Sequence, residues 1–271
     1  MIIDFHTHIF PDKIAERAVA GLIKSCNDNY EETGVKVKNH NEATLNSLKE
    51  YMENSGIDMA VVLPIATKPS QFESINTFAA EVNKDDMLIS FGSIHPLSDN
   101  ITEKLDYIKS LGLKGIKLHP DYQGTYIDTP EFKRVVKYAA DIGLITVMHA
   151  GVDGAYKEIH CPPDKAGIMI DEIDCSEVVL AHTGGFKCWE GVLEHIAGKN
   201  VYLDISFTLP YIDESLFLKI AEKHGVEKLL YATDSPWGDA KADIEHLKKL
   251  GFSKNELDMI FYKNAKQLLQ L

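Results

Sequence analysis

Eight short apolar runs, each bounded by turn residues and followed by a stretch with helical spacing, constrain this chain more than any other feature of its sequence. The runs are Met1–Phe5, Met59–Pro64, Leu88–Ile94, Lys114–Leu118, Leu144–His149, Val178–His182, Val201–Asp204 and Leu229–Thr233. Most are apolar at consecutive positions, the habit of strands covered on both faces in a parallel sheet. Between them the spacing predicts helices over Glu42–Ser55, Gln71–Asn83, Ile101–Leu111, Glu131–Ile142, Pro163–Ile173, Trp189–Ala197, Glu214–His224 and Ala240–Leu250, with a terminal helix from Lys254. Gly56, Gly112, Gly143, Gly225 and Gly251 stand where helix ends take a left-handed residue. Such alternation is what a closed (β/α)8 barrel, the TIM barrel of the α/β class, requires in about 250 residues. An open doubly wound sheet would use fewer strands and a glycine-rich phosphate loop, and the chain has neither GxGxxG nor GxxxxGK[ST]. With no repeat, low-complexity segment or linker, one domain over residues 1–271 is expected. The first connection, Ile9 to Asn41, is long, polar and irregular apart from a short helix near Lys13–Cys26, so a lid or binding loop is expected there.

Charge excludes one class of partner. Lys and Arg total 28 against 41 Asp and Glu, a formal charge of −13, whereas nucleic-acid binding needs a basic face. Apolar stretches such as Ala60 to Ala66 fall far short of the ~20 residues that span a bilayer. The opening Met-Ile-Ile-Asp-Phe-His carries an acid and no basic region, which does not read as a signal peptide. Cys26, Cys161, Cys175 and Cys188 match neither a disulfide framework nor a paired CxxC zinc site. Reduced thiols in the cytoplasm are expected.

The polar residues fall at the strand ends. The first strand runs into Asp4-Phe5-His6-Thr7-His8, and residues two apart on a strand leave the same face. Paired neutral imidazoles there point to a metal. Strand four ends in Lys117-Leu118-His119-Pro120, strand five in His149, strand six in His182 and strand eight in Asp234. Barrel active sites are assembled at that rim. A lysine such as Lys117 on a buried strand must be paired or modified.

On these residues the chain resembles the amidohydrolase superfamily, in particular its amidohydrolase-2 branch of metal-dependent hydrolases, over essentially its whole length to Lys263-Asn264-Ala265. The resemblance implies a zinc-like ion on His6, His8, His149 and Asp234. It also leaves two arrangements open. In one, Lys117 is carboxylated and bridges a second ion bound by His182, and Lys-Leu-His-Pro is similar to the Lys-Leu-Tyr-Pro segment of dihydroorotases. In the other, one ion is bound, His182 polarises substrate or activates water, and Lys117 is an ammonium pairing a substrate carboxylate or Asp234. Either way the ion, zinc by expectation, makes hydroxide available at neutral pH, Asp234 moves its proton, and the leading expectation is a hydrolase of amides, cyclic amides or lactones. A decarboxylase with the same ligands is the alternative. A catalytically silent metal-binding barrel is a third reading, against which an intact Asp234 argues.

Several further residues are candidates for contact with a small-molecule substrate: His119, two positions beyond Lys117; His160, in the loop that also carries Asp153 and Tyr156; Trp237, just after Asp234; and Arg17, in the first connection. Asp204 and Ser206 at the end of strand seven are expected to position a neighbouring histidine. His95 ends a strand from which no ligand is expected. Arg17 and Arg134 are the only arginines, which disfavours a polyanionic substrate. The substrate's identity is set by loops and is not legible. The sequence leaves a homo-oligomer open.

Overall fold

The computed structural model describes residues 1–271. Eight parallel strands run in chain order: β1 (Ile3–Thr7), β2 (Met59–Val62), β3 (Leu88–Ser90 continuing as Gly92–Ser93), β4 (Gly115–Leu118), β5 (Ile145–Met148), β6 (Val178–Leu180), β7 (Tyr202–Asp204) and β8 (Leu229–Leu230). Each pairs in parallel with the next, as in Ala60 with Leu88 and Lys117 with Val147. The last strand returns to the first: Phe5 N–H donates to the Tyr231 carbonyl at 2.9 Å and Asp234 N–H to the His6 carbonyl at 2.9 Å. The fold is the (β/α)8 barrel that the alternation predicts.

Two apolar layers hold it. Ile3, Phe5, Val61, Phe91, Val147, Val179 and Leu230 fill the barrel interior, with the Phe5 and Phe91 rings edge to face at 6.1 Å. A larger cluster joins the outer strand faces, among them Ile116, Leu118 and Met148, to helix residues such as Leu105, Val135 and Ile170. Strand alternation therefore turns Lys117, between Ile116 and Leu118, inward. Thr44, Thr129, Asp213, Asp239 and Ser253 cap helices with their side chains, each worth about 1 kcal/mol.

Three departures from expectation bear on the site. First, β1 begins and ends two residues later than predicted, so that His6 lies within it, and its register against β2 shifts between Asp4 and Thr7. Such bulges re-aim side chains at barrel rims. Second, β6 and β8 stop short of His182 and Thr233 because the chain turns left-handed immediately beyond: φ is +58° at His182, +53° at Thr183 and +62° at Asp234. Third, the first connection is more regular than predicted. It contains a 17-residue helix, Asp12–Asp28, and a further turn, Tyr30–Thr33. This segment is fastened to two rim loops: Asn29 Nδ2 donates to the Ala155 carbonyl at 2.9 Å, His40 N–H to the Pro236 carbonyl at 2.7 Å and Asn41 Nδ2 to Ser235 Oγ at 2.8 Å. No helix is long and apolar enough to cross a membrane.

Candidate metal centre

The bulged end of β1 and the left-handed turn after β8 bring His6, His8 and Asp234 together. Asp234 Oδ1 lies 3.4 Å from His6 Nε2 and 3.2 Å from His8 Nε2, and the two nitrogens are 3.1 Å apart. Their tautomers follow from the partners behind them. His6 Nδ1 is 2.9 Å from Asp204 Oδ2, and His8 Nδ1 is 2.8 Å from the Leu63 carbonyl oxygen. Carboxylate and carbonyl oxygens only accept, so both Nδ1 atoms carry the proton and both Nε2 atoms present a bare lone pair. Burial, reinforced by the Lys117 charge, pushes the His6 pKa well below 6.5, which keeps the ring neutral. The Asp234 carboxyl is held below its ordinary range although burial opposes its ionisation. Two lone pairs and a carboxylate oxygen thus converge on one point. That donor set fits a divalent cation.

Lys117 Nζ lies 3.0 Å from His6 Nε2 with the side chain 1 % exposed. Burial lowers its pKa to about 8 against the pull of Asp204 and Asp234, so the amine is still mostly charged at neutral pH and donates to His6. Asp204 organises this end of the barrel. Besides His6 Nδ1, it accepts from the backbone N–H groups of His182 at 3.1 Å and Ser206 at 3.0 Å, and from Ser206 Oγ.

His182 has both ring nitrogens engaged. Its Nδ1 lies 3.0 Å from the Ser206 carbonyl oxygen and so carries the proton; its Nε2 accepts from His149 Nδ1 at 3.0 Å. His182 therefore orients His149, and to serve as ligand to a second ion its Nε2 would have to give up this bond. The same bond fixes the lone pair of His149 on Nε2, a buried atom with no hydrogen-bond partner. An orphaned imidazole nitrogen is what an additional metal donor presents, although His149 is not part of the compact group formed by His6, His8 and Asp234. It falls with His119 and Asp153 in a second group of nearby donors. The His119 and His149 rings are stacked at 4.2 Å and 11°, so their in-plane lone pairs cannot meet on one ion. His119 instead sits between His149 and Tyr122, 3.9 Å from the latter, with Nε2 3.3 Å from Asp153 Oδ2.

The remaining candidates separate. His160 is buried and its Nδ1 and backbone N–H both donate to Asp121 Oδ1, at 3.0 and 3.1 Å. Trp237 follows the Asp234 turn, half-buried, its backbone N–H donating to the Asp234 carbonyl at 2.8 Å. Arg17 does not reach the mouth. Ala15, Val19 and Cys26 are the buried positions of its helix, which turns Arg17, midway between the first two, to solvent with no ion pair. Asp121 went unread in the sequence. It lies two residues past His119, burial raises its pKa to about 6, and its orphaned Oδ2 is 3.8 Å from His149 Nε2. The spacing of Lys117, His119 and Asp121 was its one signal. A cleft of about 1220 Å³ lies elsewhere, between the helices Asp12–Asp28 and Leu45–Ser55, and none of these donors lines it.

The family model described as Amidohydrolase matches residues 3–271. No curated protein is recognisably similar in sequence. Among solved structures, an uncharacterised TIM-barrel protein from Bordetella bronchiseptica is 19% identical, with 99% of this chain and 98% of that one covered and a TM-score of 0.74. A dihydroxybenzoic acid decarboxylase from Polaromonas sp. JS666, with bound manganese and the inhibitor 2-nitroresorcinol, is 14% identical over 100% and 97% of the two chains, with a TM-score of 0.70. A probable 2-pyrone-4,6-dicarboxylic acid hydrolase from Acinetobacter baumannii, with citric acid bound, is 16% identical over 100% and 99%, with a TM-score of 0.65.

Proposed function

This chain belongs to the amidohydrolase family whose model spans residues 3–271, and from that membership we propose that it is a metal-dependent decarboxylase of a small carboxylated substrate. The observation that carries the reading is Lys117, a buried ammonium 3.0 Å from a nitrogen of the donor group. A fixed cation beside the ion gives a substrate carboxylate a second positive partner. We take one ion and an unmodified lysine: an ion bound at His6 Nε2 takes that lone pair and leaves the ammonium free for the substrate carboxylate. The manganese-bearing dihydroxybenzoic acid decarboxylase among the structural neighbours supports the same class.

In this reading His6, His8 and Asp234 hold a divalent ion, with His149 as the further donor. Three nitrogens and one oxygen suit zinc, and manganese is the neighbour's metal. When bound, the ion supplies a Lewis acid that polarises the oxygen atoms of the substrate. Lys117 pairs the carboxylate that leaves. The carbon–carbon bond would break with its electron pair retained on the substrate carbon, releasing CO2, and a proton taken up from solvent would pass through Asp234 at the mouth to that carbon. Asp204 and His182 hold His6 and His149 in the required tautomers. His119, backed by Tyr122, together with His160 and Trp237, forms the wall that selects the substrate. A small molecule is the partner proposed, and nucleic acid is not.

Hydrolysis of a lactone or cyclic amide is the second reading, favoured by an Asp234 held ionised, as a base for water must be. A panel of aryl carboxylates, lactones and cyclic amides, run with zinc- and manganese-loaded protein, decides between them. Release of CO2 that Lys117→Met abolishes supports the lyase. Ring opening without CO2 release transfers the assignment to the hydrolase, and inertness toward the whole panel by fully loaded protein favours a silent barrel.

A further inference from the structure

Asp4 is a buried carboxylate that the chemistry above does not use, and it joins the two strands that carry the proposed ligands. Its Oδ1 accepts from His6 N–H at 3.2 Å and Thr233 N–H at 3.0 Å; its Oδ2 accepts from Thr233 Oγ at 2.6 Å. Thr233 Oγ in turn accepts from Ser235 N–H at 3.0 Å. One hydroxyl thus spans both sides of Asp234, donating before it and accepting after it. Asp234 itself has φ of +62°, a left-handed conformation that is strained for a non-glycine residue and persists only where its surroundings impose it. Its N–H donates to the His6 carbonyl at 2.9 Å. These bonds refer the residues on either side of Asp234 to β1, while Ser235 and Pro236 are also tied to the first connection.

We propose that Asp4 and Thr233 form a positioning latch for Asp234, holding its carboxylate against His6 and His8, and that the latch sets the affinity of the site for a divalent cation. The inference rests on the reading of His6, His8 and Asp234 as cation ligands. Without the Thr233 hydroxyl, Asp4 Oδ2 loses its donor, Ser235 N–H loses its acceptor, and the strained turn is free to relax. Asp234 then leaves the 3.2–3.4 Å contacts that place it.

The test is the Kd of metal-free protein for Mn2+, measured by chelator competition. Thr233→Val keeps the side-chain shape and removes the hydroxyl, Thr233→Ser keeps the hydroxyl, and Thr233→Ala removes it without filling the space. Asn264→Ala is the control. Asn264 Nδ2 donates to the Val226 and Leu229 carbonyls at 2.7 and 2.8 Å, at the far end of β8, so its loss loosens the same strand without touching the turn. The latch predicts a Kd raised about 10- to 100-fold in Thr233→Val and Thr233→Ala, the usual range for partners of metal ligands. It predicts values within about threefold of wild type in Thr233→Ser and in Asn264→Ala, even where the latter unfolds at lower urea. Unchanged affinity in both hydroxyl-less variants, or equal weakening in Asn264→Ala, overturns it. Wild-type protein that takes up no divalent cation overturns the ligand reading, and the latch with it.

Discussion

Lys117→Met should make the metal-free protein more stable at neutral pH while removing the function proposed for the site. The ammonium is buried, and its pKa in the fold is about 8 against 10.5 for an exposed lysine. At about 1.36 kcal/mol for each tenfold, that gap corresponds to roughly 3 kcal/mol of stability forgone at pH 7 by holding the charge inside. The hydrogen bond to His6 returns about 1 kcal/mol, so a methionine of similar length should leave the variant ahead by roughly 1–2 kcal/mol. The sign with pH follows from proton counts. Between about pH 8 and 10.5 the unfolded chain holds the Lys117 proton and the fold has released it, so wild-type stability rises with pH across that window. The variant lacks this rise, and its advantage should shrink by roughly 2 kcal/mol from pH 7 to 9.5. Urea unfolding of chelator-treated wild type and variant at the two pH values measures it. A variant less stable than wild type at pH 7, or an advantage independent of pH, would refute the argument that Lys117 is held charged against burial.

Asp204→Asn should weaken Mn2+ or Zn2+ binding by about 10- to 100-fold in a chelator competition, because an amide must turn a donor toward either His6 Nδ1–H or the Ser206 and His182 donors. Asp234→Asn should lower turnover by roughly a hundredfold or more with a much smaller change in KM, as expected of a group that moves a proton in the transition state. Elemental analysis of purified protein should find about one divalent ion per chain and native mass spectrometry no added CO2 on Lys117; two ions with that added mass would restore the bridged arrangement. Chelation should abolish activity, and added zinc or manganese should restore it.

What the sequence made legible were the features that depend on local periodicity. The strand and helix alternation, the inward placement of Lys117 and the carboxyl-end positions of His6, His8, His149, His182 and Asp234 all follow from spacing of 2 and 3.6 residues. Features that depend on bonds between distant elements were not legible. Nothing near His182 announces that Ser206 and His149 occupy its two nitrogens, and nothing near Arg17 except the Ala15 and Val19 pair shows that it faces solvent. The short strands had a physical cause as well. Apolar runs continue through Ala181 and Ala232, but the backbone leaves the ladder early to place His182 and Asp234 in left-handed turns, and composition carries no sign of that. Asp121 was hidden for a related reason: its partner His160 lies 39 residues away in another loop.

The proposed latch between β1 and β8 would also make the centre a gauge of ring closure. Asp4 and Thr233 are 229 residues apart in the chain, and bringing the ends of so long a segment together costs on the order of 5 kcal/mol in chain entropy. His6 and His8 are made long before their carboxylate partner Asp234. In the proposed reading a half-folded chain therefore has imidazoles but no pocket, and metal occupancy would report that the barrel has closed. By the same linkage, an ion that binds only the closed ring lowers the closed form relative to every open form at once. Chelation should thus loosen the whole barrel, including helices that lie nowhere near the ion, and amide exchange across the ring should accelerate together.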